Sequence, residues 1–301
     1  MRVAAIQTTA GPDPSRNLDD AGNRVEQAAA LGARLVVLPE YFSVAGSPRH
    51  LRAHAEDLTG PTVAWASELA ARLDIHLLAG SLPERRPPST TGAGELDDRL
   101  YNTSVLVGPT GSVRAVYRKI HLFDVALGTT AFAESSTIAP GDDLCVVPLG
   151  SSPGLSLGLS ICYDVRFPEP YRIMTLRGAT VIAVPSAFTA ATGPAHWELL
   201  LRARAVENQV FVIGAAQVGR LPPGMPPCHG HSMIVDPWGT ILAEQLDPTP
   251  GVVVADLDSV RQGEVRSQLP VLANRRPGAY RWPDDHSDDH SDDHPGDHPG
   301  G

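Results

Sequence analysis

The chain has 301 residues, 42% of them hydrophobic, enough to bury a sizeable core in one large domain or two ordinary ones. Three cysteines (Cys145, Cys162 and Cys228) are too few and too scattered for a disulfide framework, and no C-x-x-C pair suggests zinc or a redox dithiol. The net charge of −10 is concentrated in PDDHSDDHSDDHPGDHPGG, from Pro283 onward; removing its seven aspartates leaves −3 on the body, which gives no support to nucleic-acid binding.

No stretch approaches the roughly 20 apolar residues of a membrane span, and MRVAAIQTTAGPDP has no apolar run of signal-peptide length. The expectation is a soluble, cytoplasmic protein with reduced thiols. Its last 19 residues, 283–301, lack large apolar side chains and are expected to be disordered. Their Asp-His repeat could hold a divalent metal loosely, but a solubilising tail or cloning remnant is the plainer reading. The folded domain is thus expected to span residues 1–282.

In chain order, apolar runs of strand length begin at Val3–Gln7, with an amphipathic helical stretch at Ser15–Leu31 and a strand at Leu35–Leu38. A helix is expected at Val63–Leu73, then strands at His76–Ser81, Thr103–Val107 and Val113–Tyr117, the last two joined by the turn GPTG. Leu155–Ile161 reads as a strand, Pro168–Leu176 as a helix and Thr180–Val184 as a strand. The helix His196–Asn208 follows, with Val210–Ala215, His231–Val235, Thr240–Glu244 and Val252–Leu257 as the closing strands. Such alternation with hairpins predicts an α/β protein with mixed sheets.

Two segments recur. GARLVVLPEYF at 32–42 matches GATVIAVPSAF at 178–188, and ARLDIHLLAG at 71–80 matches AVENQVFVIG at 205–214 in the same order. Each half therefore contains a corresponding set of helices and strands, which predicts a pseudo-symmetric sandwich with sheets inside and helices outside.

Binding sites in α/β sheets lie beyond the carboxyl ends of strands. Three such ends carry notable side chains: Glu40 after LVVLP, Lys119 after AVYR and Cys162 after LGLSI. Lys119 is the only lysine in the chain, all other basic positions being arginine. In so arginine-rich a chain, a lysine there points to a site that needs a compact ammonium. A thiol nucleophile, a carboxylate to take its proton and a cation to hold an oxyanion are the minimum set for acyl transfer through a thioester. A cysteine–histidine pairing is the competing reading, with His121, His196, His229 and His231 as candidate bases. Cys145 reads as core and Cys228, among prolines, as an exposed loop thiol.

The blocks LPEYF, YRKIHLFD and ICYDVRFPE resemble, in order and separation, the signatures of the nitrilase (carbon–nitrogen hydrolase) superfamily. PSAFTAATGPAHWELLLRARAVENQ and GHSMIVDPWG resemble its Nit-type amidase branch, and the likeness runs to about residue 282. It implies a four-layer αββα sandwich and a Glu40–Lys119–Cys162 triad, with Glu134 in FAES as a second glutamate beside the lysine. The backbone N–H of Tyr163 would join Lys119 as an oxyanion donor, and the thiolate of Cys162 would be supported by Lys119. Tyr163 and Asp164, where nitrilases commonly have tryptophan and glutamate, favour an amide over a nitrile. The likeness further implies a small carboxylate-bearing amide of the deaminated glutathione type, with an ω-amidase acting on α-ketoglutaramate or an N-carbamoyl amide hydrolase as alternatives. A non-catalytic binding protein on the same fold is the remaining reading. Arg166 and Arg172 are candidate carboxylate binders, and Phe188 and Thr189 candidate substrate contacts. The loop Leu221–Cys228 and the linker Arg85–Asp98 are candidate pocket rims. The resemblance calls for no metal or cofactor and implies a homodimer or larger homo-oligomer.

Overall fold

A computed structural model describes residues 1–280 except 88, 91–95, 128–129, 151–153 and 223–224. The tail from residue 283, and with it the domain boundary at 282, lies outside the described residues.

The first sheet is built from β1 (Arg2–Gln7), β2 (Leu35–Val37), β3 (His76–Glu84), β4 (Tyr101–Val107) and β5 (Val113–Arg118). The second contains β6 (Cys145–Pro148), β7 (Ser156–Leu159), β8 (Val181–Ser186), β9 (Phe211–Ala216), β10 (Met233–Val235) and β11 (Ile241–Glu244). The last strand, β12 (Gly251–Asp256), returns to the first sheet. The strand orders are β12-β1-β2-β3-β4-β5 and β6-β7-β8-β9-β10-β11. Read along these orders, both sheets pair antiparallel, parallel, parallel, antiparallel, antiparallel. The expected internal repeat is therefore a repeat of topology as well as of sequence.

Side chains alternate across each strand, and β1 shows how this builds layers. Val3 and Ala5 join the core between the sheets, with Leu157, Val181 and Ile213 among their company. Ala4 and Ile6 face the other way, toward Val25 and Ala28 of α1 (Pro14–Ala30) and Ala66 and Leu69 of α3 (Pro61–Leu73). On the far side, α4 (Pro168–Leu176) and α5 (Gly193–Asn208) cover the second sheet through Met174, Trp197 and Leu201. The result is the expected αββα sandwich. Asp13 caps α1 by accepting from the N–H groups of Ser15 and Arg16, with Pro14 at the first helical position.

The elements that escape the sequence pattern include the edge strand β6, the six-residue α2 (Pro48–Ala53), the hairpin Asp124–Leu127 with Thr130–Ala133, and α6 (Ser259–Gln268). The helix expected from His196 begins earlier, at Gly193, after Thr192. The second sequence match is also displaced by one residue. Leu35 pairs with His76 in β2–β3, whereas Val181 pairs with Phe211 in β8–β9, so His76 corresponds to Phe211 and Gly80 to Ala215. The left-handed helix ends Asp74 and Gln209 obey this corrected spacing, with φ of 53° each. No helix among the described residues is long and apolar enough to cross a membrane.

Candidate active site

The two sheets bring three strand exits to one place. After β2 the chain turns at Pro39 and buries Glu40, which is 3% exposed. Lys119 follows β5 directly and is 2% exposed. Its Nζ donates to Glu40 Oε1 at 2.9 Å and to Glu134 Oε2 and Oε1 at 2.8 and 3.1 Å. Glu134 opens a short 3₁₀ turn, Glu134–Ser136, and its Oε2 also accepts the Phe123 N–H at 2.7 Å. Glu40 Oε2 accepts the N–H of Ala187, beyond the exit of β8, at 2.8 Å.

Cys162 follows β7 and starts a 3₁₀ turn, Cys162–Arg166, with φ of 46°. A non-glycine residue in this left-handed region carries about 1–3 kcal/mol of strain and persists only where its surroundings enforce it. Here the enforcing group is Asp164, which is fully buried. It accepts the Ile161 N–H at 2.8 Å, the Tyr117 hydroxyl at 2.7 Å, and both the backbone N–H and Nδ1 of His121 at 3.0 and 2.8 Å. From α5, Arg204 Nε donates to the Val165 carbonyl at 2.9 Å and holds the far end of the turn. The Tyr163 N–H sits in the first turn, where a helix has no carbonyl of its own to offer.

The electrostatics differ from the sequence expectation in one respect. Burial first, and then the Glu40 carboxylate, push the Cys162 thiol well above its ordinary value, while Lys119 opposes them. The resting sulfur is therefore a thiol rather than a lysine-supported thiolate, because a buried anion beside a carboxylate is disfavoured more than one ammonium can offset. Burial alone would discharge Lys119, but Glu134 and then Glu40 outweigh it and hold the ammonium well above its ordinary value. Tyr41 is pushed up by burial and by the same two carboxylates.

Glu40, Lys119, Glu134 and Cys162 line a cavity of about 350 Å³, together with Tyr163, Arg166, Phe188 and Thr189. Eight of the sequence candidates therefore meet. Arg166 lies at the wall, its Nη2 donating to Thr192 Oγ1 at 3.2 Å and its Nη1 to His196 Nδ1 at 3.1 Å. Its guanidinium stands 5.0 Å from the Phe188 ring centre and 5.7 Å from that of Tyr163. Among the described residues it has no carboxylate partner. Arg172, by contrast, faces away from the cavity: from α4 it donates to the Glu207 carbonyl on α5.

The loop Leu221–Cys228 does form a rim, through Met225 and Pro226. Cys228 itself is 5% exposed, not the exposed thiol its prolines suggested, because it is bridged to Thr189 and paired with Gly219. The described part of the linker 85–98 does not reach the cavity; Asp97 instead pairs with Arg86 and Arg99. Nor does any histidine among the described residues line it. His121 is held by Asp164 and stacked on Phe167, His196 accepts from Arg166, and His231 bonds Glu244 at 2.7 Å with His229 stacked beside it. The cysteine–histidine reading has no geometry to support it.

Two residues of the site went unrecognised in the sequence as its supports. Asp164 is one; the other is Asn102, fully buried in β4, whose Nδ2 donates to Glu40 Oε1 at 2.8 Å and to Glu134 Oε1 at 3.3 Å.

Comparison with known proteins places the chain in a family. A sequence model of the family described as carbon-nitrogen hydrolase matches residues 2–267. The chain is 42% identical to a protein named deaminated glutathione amidase from Synechocystis sp. (strain PCC 6803 / GT-S), covering 91% of this chain and 97% of that one. It is 39% identical to Omega-amidase NIT2 of Homo sapiens, covering 93% and 96%. The crystal structure of the C. elegans NitFhit protein superposes with a TM-score of 0.81 at 35% identity, over 93% of this chain and 66% of that longer one. The chain belongs to the carbon-nitrogen hydrolase family.

Proposed function

We propose that the protein is a thiol amidase that hydrolyses the amide of a small carboxylate-bearing substrate of the deaminated glutathione type. The observation that carries the proposal is the meeting of a buried thiol, carboxylate and ammonium at one cavity whose wall presents Arg166, without a carboxylate partner among the described residues. A guanidinium so placed suits bidentate recognition of a substrate carboxylate. The similarity to relatives named for deaminated glutathione and ω-amide hydrolysis supports the same substrate class.

Glu40 takes the proton of Cys162 as the sulfur attacks the amide carbon, and the carbonyl electron pair moves onto oxygen. The oxyanion is held by Lys119 Nζ and the Tyr163 N–H. As the adduct collapses, Glu40 passes the proton to the leaving nitrogen and the C–N bond breaks. Water, deprotonated by Glu40, then adds to the thioester; the C–S bond breaks and the thiol regains its proton from Glu40. Glu134 keeps Lys119 and the water in position. Every step balances without a metal or cofactor. A free catalytic thiol is readily kept in a reducing compartment, which accords with the cytoplasm. The outer faces of α4 and α5 leave Ile173, Leu176, Leu199 and Val206 exposed, which supports pairing of two copies there.

The test is a product-release screen over deaminated glutathione, α-ketoglutaramate, N-carbamoyl amino acids and nitriles. Deaminated glutathione is expected to turn over fastest, with α-ketoglutaramate second. Faster turnover of N-carbamoyl compounds or nitriles than of any amide would overturn the assignment.

A further inference from the structure

We infer that Asn102 is the positioning residue that leaves Glu40 one free lone pair, on Oε2, and thereby fixes the oxygen through which the Cys162 proton travels. The inference deepens the proposed function and rests on it.

A carboxylate offers about four lone-pair positions, two on each oxygen. On Glu40, both positions of Oε1 are filled, one by Lys119 Nζ and one by Asn102 Nδ2. On Oε2, one is filled by the Ala187 N–H. Among the described residues a single position remains, and it belongs to Oε2. Without Asn102, Oε1 would have a free position of its own and the carboxylate could rotate between two bases of different reach. The orientation of the Asn102 amide is not arbitrary. Its nitrogen faces Oε1 of both Glu40 and Glu134, and an amide oxygen in that place would meet two carboxylate oxygens. The backbone joins in, since the Asn102 carbonyl accepts the Lys119 N–H at 2.9 Å, so one residue sets the base, its ammonium partner and the second glutamate.

The same contacts bear on the oxyanion step. The three protons of Lys119 Nζ are all engaged with carboxylate oxygens, the longest contact being the 3.1 Å one to Glu134 Oε1. Asn102 already points its second N–H at that oxygen. When Lys119 turns a proton to the oxyanion, Asn102 keeps Glu134 supplied with a donor. In the full step the S–H proton goes to Glu40 Oε2, the S–C bond forms and the carbonyl electron pair becomes the oxyanion. The same oxygen later delivers the proton to the leaving nitrogen.

Asn102→Asp keeps the shape but replaces both donors with an anionic oxygen, among charged and titratable groups that already include Lys119, Glu134, Cys162 and Tyr41 around Glu40. On deaminated glutathione, kcat is expected to fall about 100-fold with KM changed only a few-fold, as for a misplaced reacting group. The acid limb of kcat/KM is expected to move to higher pH by about one unit or more, because the Glu40 anion loses a donor and gains a like charge. Asn102→Ala, for use if the aspartate variant does not fold, should show the same pattern with a smaller displacement. The rate of Cys162 alkylation by iodoacetamide against pH is measured alongside. Its acid limb should move in the same direction, and it reads the base even if the parent proves inactive on every amide. Absence of parent turnover would sink the functional reading alone. A loss of activity equal at all pH values, with both acid limbs in place and a lower melting temperature, would overturn the role given to Asn102, as would parent-like kcat.

Discussion

The exits of β2 and β8 are the same structure used in two ways. Both run through four apolar residues into a proline and reach a phenylalanine three residues later, Pro39 to Phe42 and Pro185 to Phe188. In the second half, β8 stays in register with β9 to the end, Pro185 opposite Ala215 and Ser186 opposite Ala216. In the first half, the regular pairing of β2 with β3 stops at Val37 opposite Leu78, and β3 shifts register between Ala79 and Leu82. The early release lets the chain fold inward, with the Pro39 carbonyl against Gly80, and aims Glu40 at the interface between sheets. Its counterpart offers only the N–H of Ala187, which Glu40 accepts. Gln217 stitches the pair, donating to the Glu40 carbonyl at 3.0 Å and accepting the Ala10 N–H at 2.9 Å. A duplicated frame thus becomes a catalytic one by loosening one ladder and leaving the other intact.

The largest expected difference between the halves is chemical. Glu40→Gln removes the proposed base and should lower kcat about 10³- to 10⁴-fold, at the upper end of what general-base catalysis contributes. The equivalent change in the other half, Ser186→Ala, loses only a local bond to the Val184 carbonyl and should leave kcat within a few-fold. Steady-state turnover of the two variants checks this.

Next in size is Lys119→Arg. If the ammonium merely balanced charge, arginine would serve, as it does at every other basic position of the chain. In a 2%-exposed site between two glutamates, the larger guanidinium displaces itself or the substrate. Loss of one oxyanion donor costs on the order of 100- to 1000-fold, and turnover at saturating substrate should fall by that much in a protein whose circular dichroism is unchanged.

A third variant pair probes the loosened ladder itself. A Cβ on Gly80 would stand 1.8 Å from the Pro39 carbonyl oxygen, whereas the corresponding Ala215 already carries one in full burial. Gly80→Ala should therefore destabilise the fold by about 1–3 kcal/mol or more in denaturant unfolding. Ala215→Gly should cost roughly 0.5–1 kcal/mol.

The smallest effect concerns the thiol. Because the folded protein raises the Cys162 value above that of the unfolded chain, its contribution to stability is complete below about pH 8.5 and is lost as pH rises toward the folded value. Cys228, pushed up by burial, acts in the same sense. Cys162→Ala should flatten the alkaline decline in unfolding free energy by up to about 1.4 kcal/mol per pH unit, measured between pH 9 and pH 11.

Much of the frame was legible because runs such as Thr180–Val184 are bounded by Gly178 and Pro185, and because the hairpin glycines Gly111 and Gly239 sit at positive φ. β6 escaped because it is only four residues long at a sheet edge, and α6 because SVRQGEVRSQ buries just Gln262 and Val265. The repeat was visible but its second match slipped by one, since aligned glycines at 80 and 214 outweighed the true correspondence of His76 to Phe211. Glu40, Lys119 and Cys162 could be found because each ends a strand. Asn102 and Asp164 could not, because their meaning comes from partners dozens of residues away and nothing in YNTS or CYD displays those contacts. Cys228 was misread for a related reason: its proline-rich neighbours suggested an exposed loop, but the loop folds back on Thr189.

The account stands most directly on the thioester at Cys162, which rapid quenching during turnover of deaminated glutathione, followed by peptide mass mapping, can observe. The predicted result is the acyl group of the substrate on the peptide containing Cys162, appearing and decaying at rates compatible with kcat, and absent in Cys162→Ala together with all turnover. Full turnover without an adduct, an adduct on Cys145 or Cys228, or amidase activity retained by Cys162→Ala would contradict it.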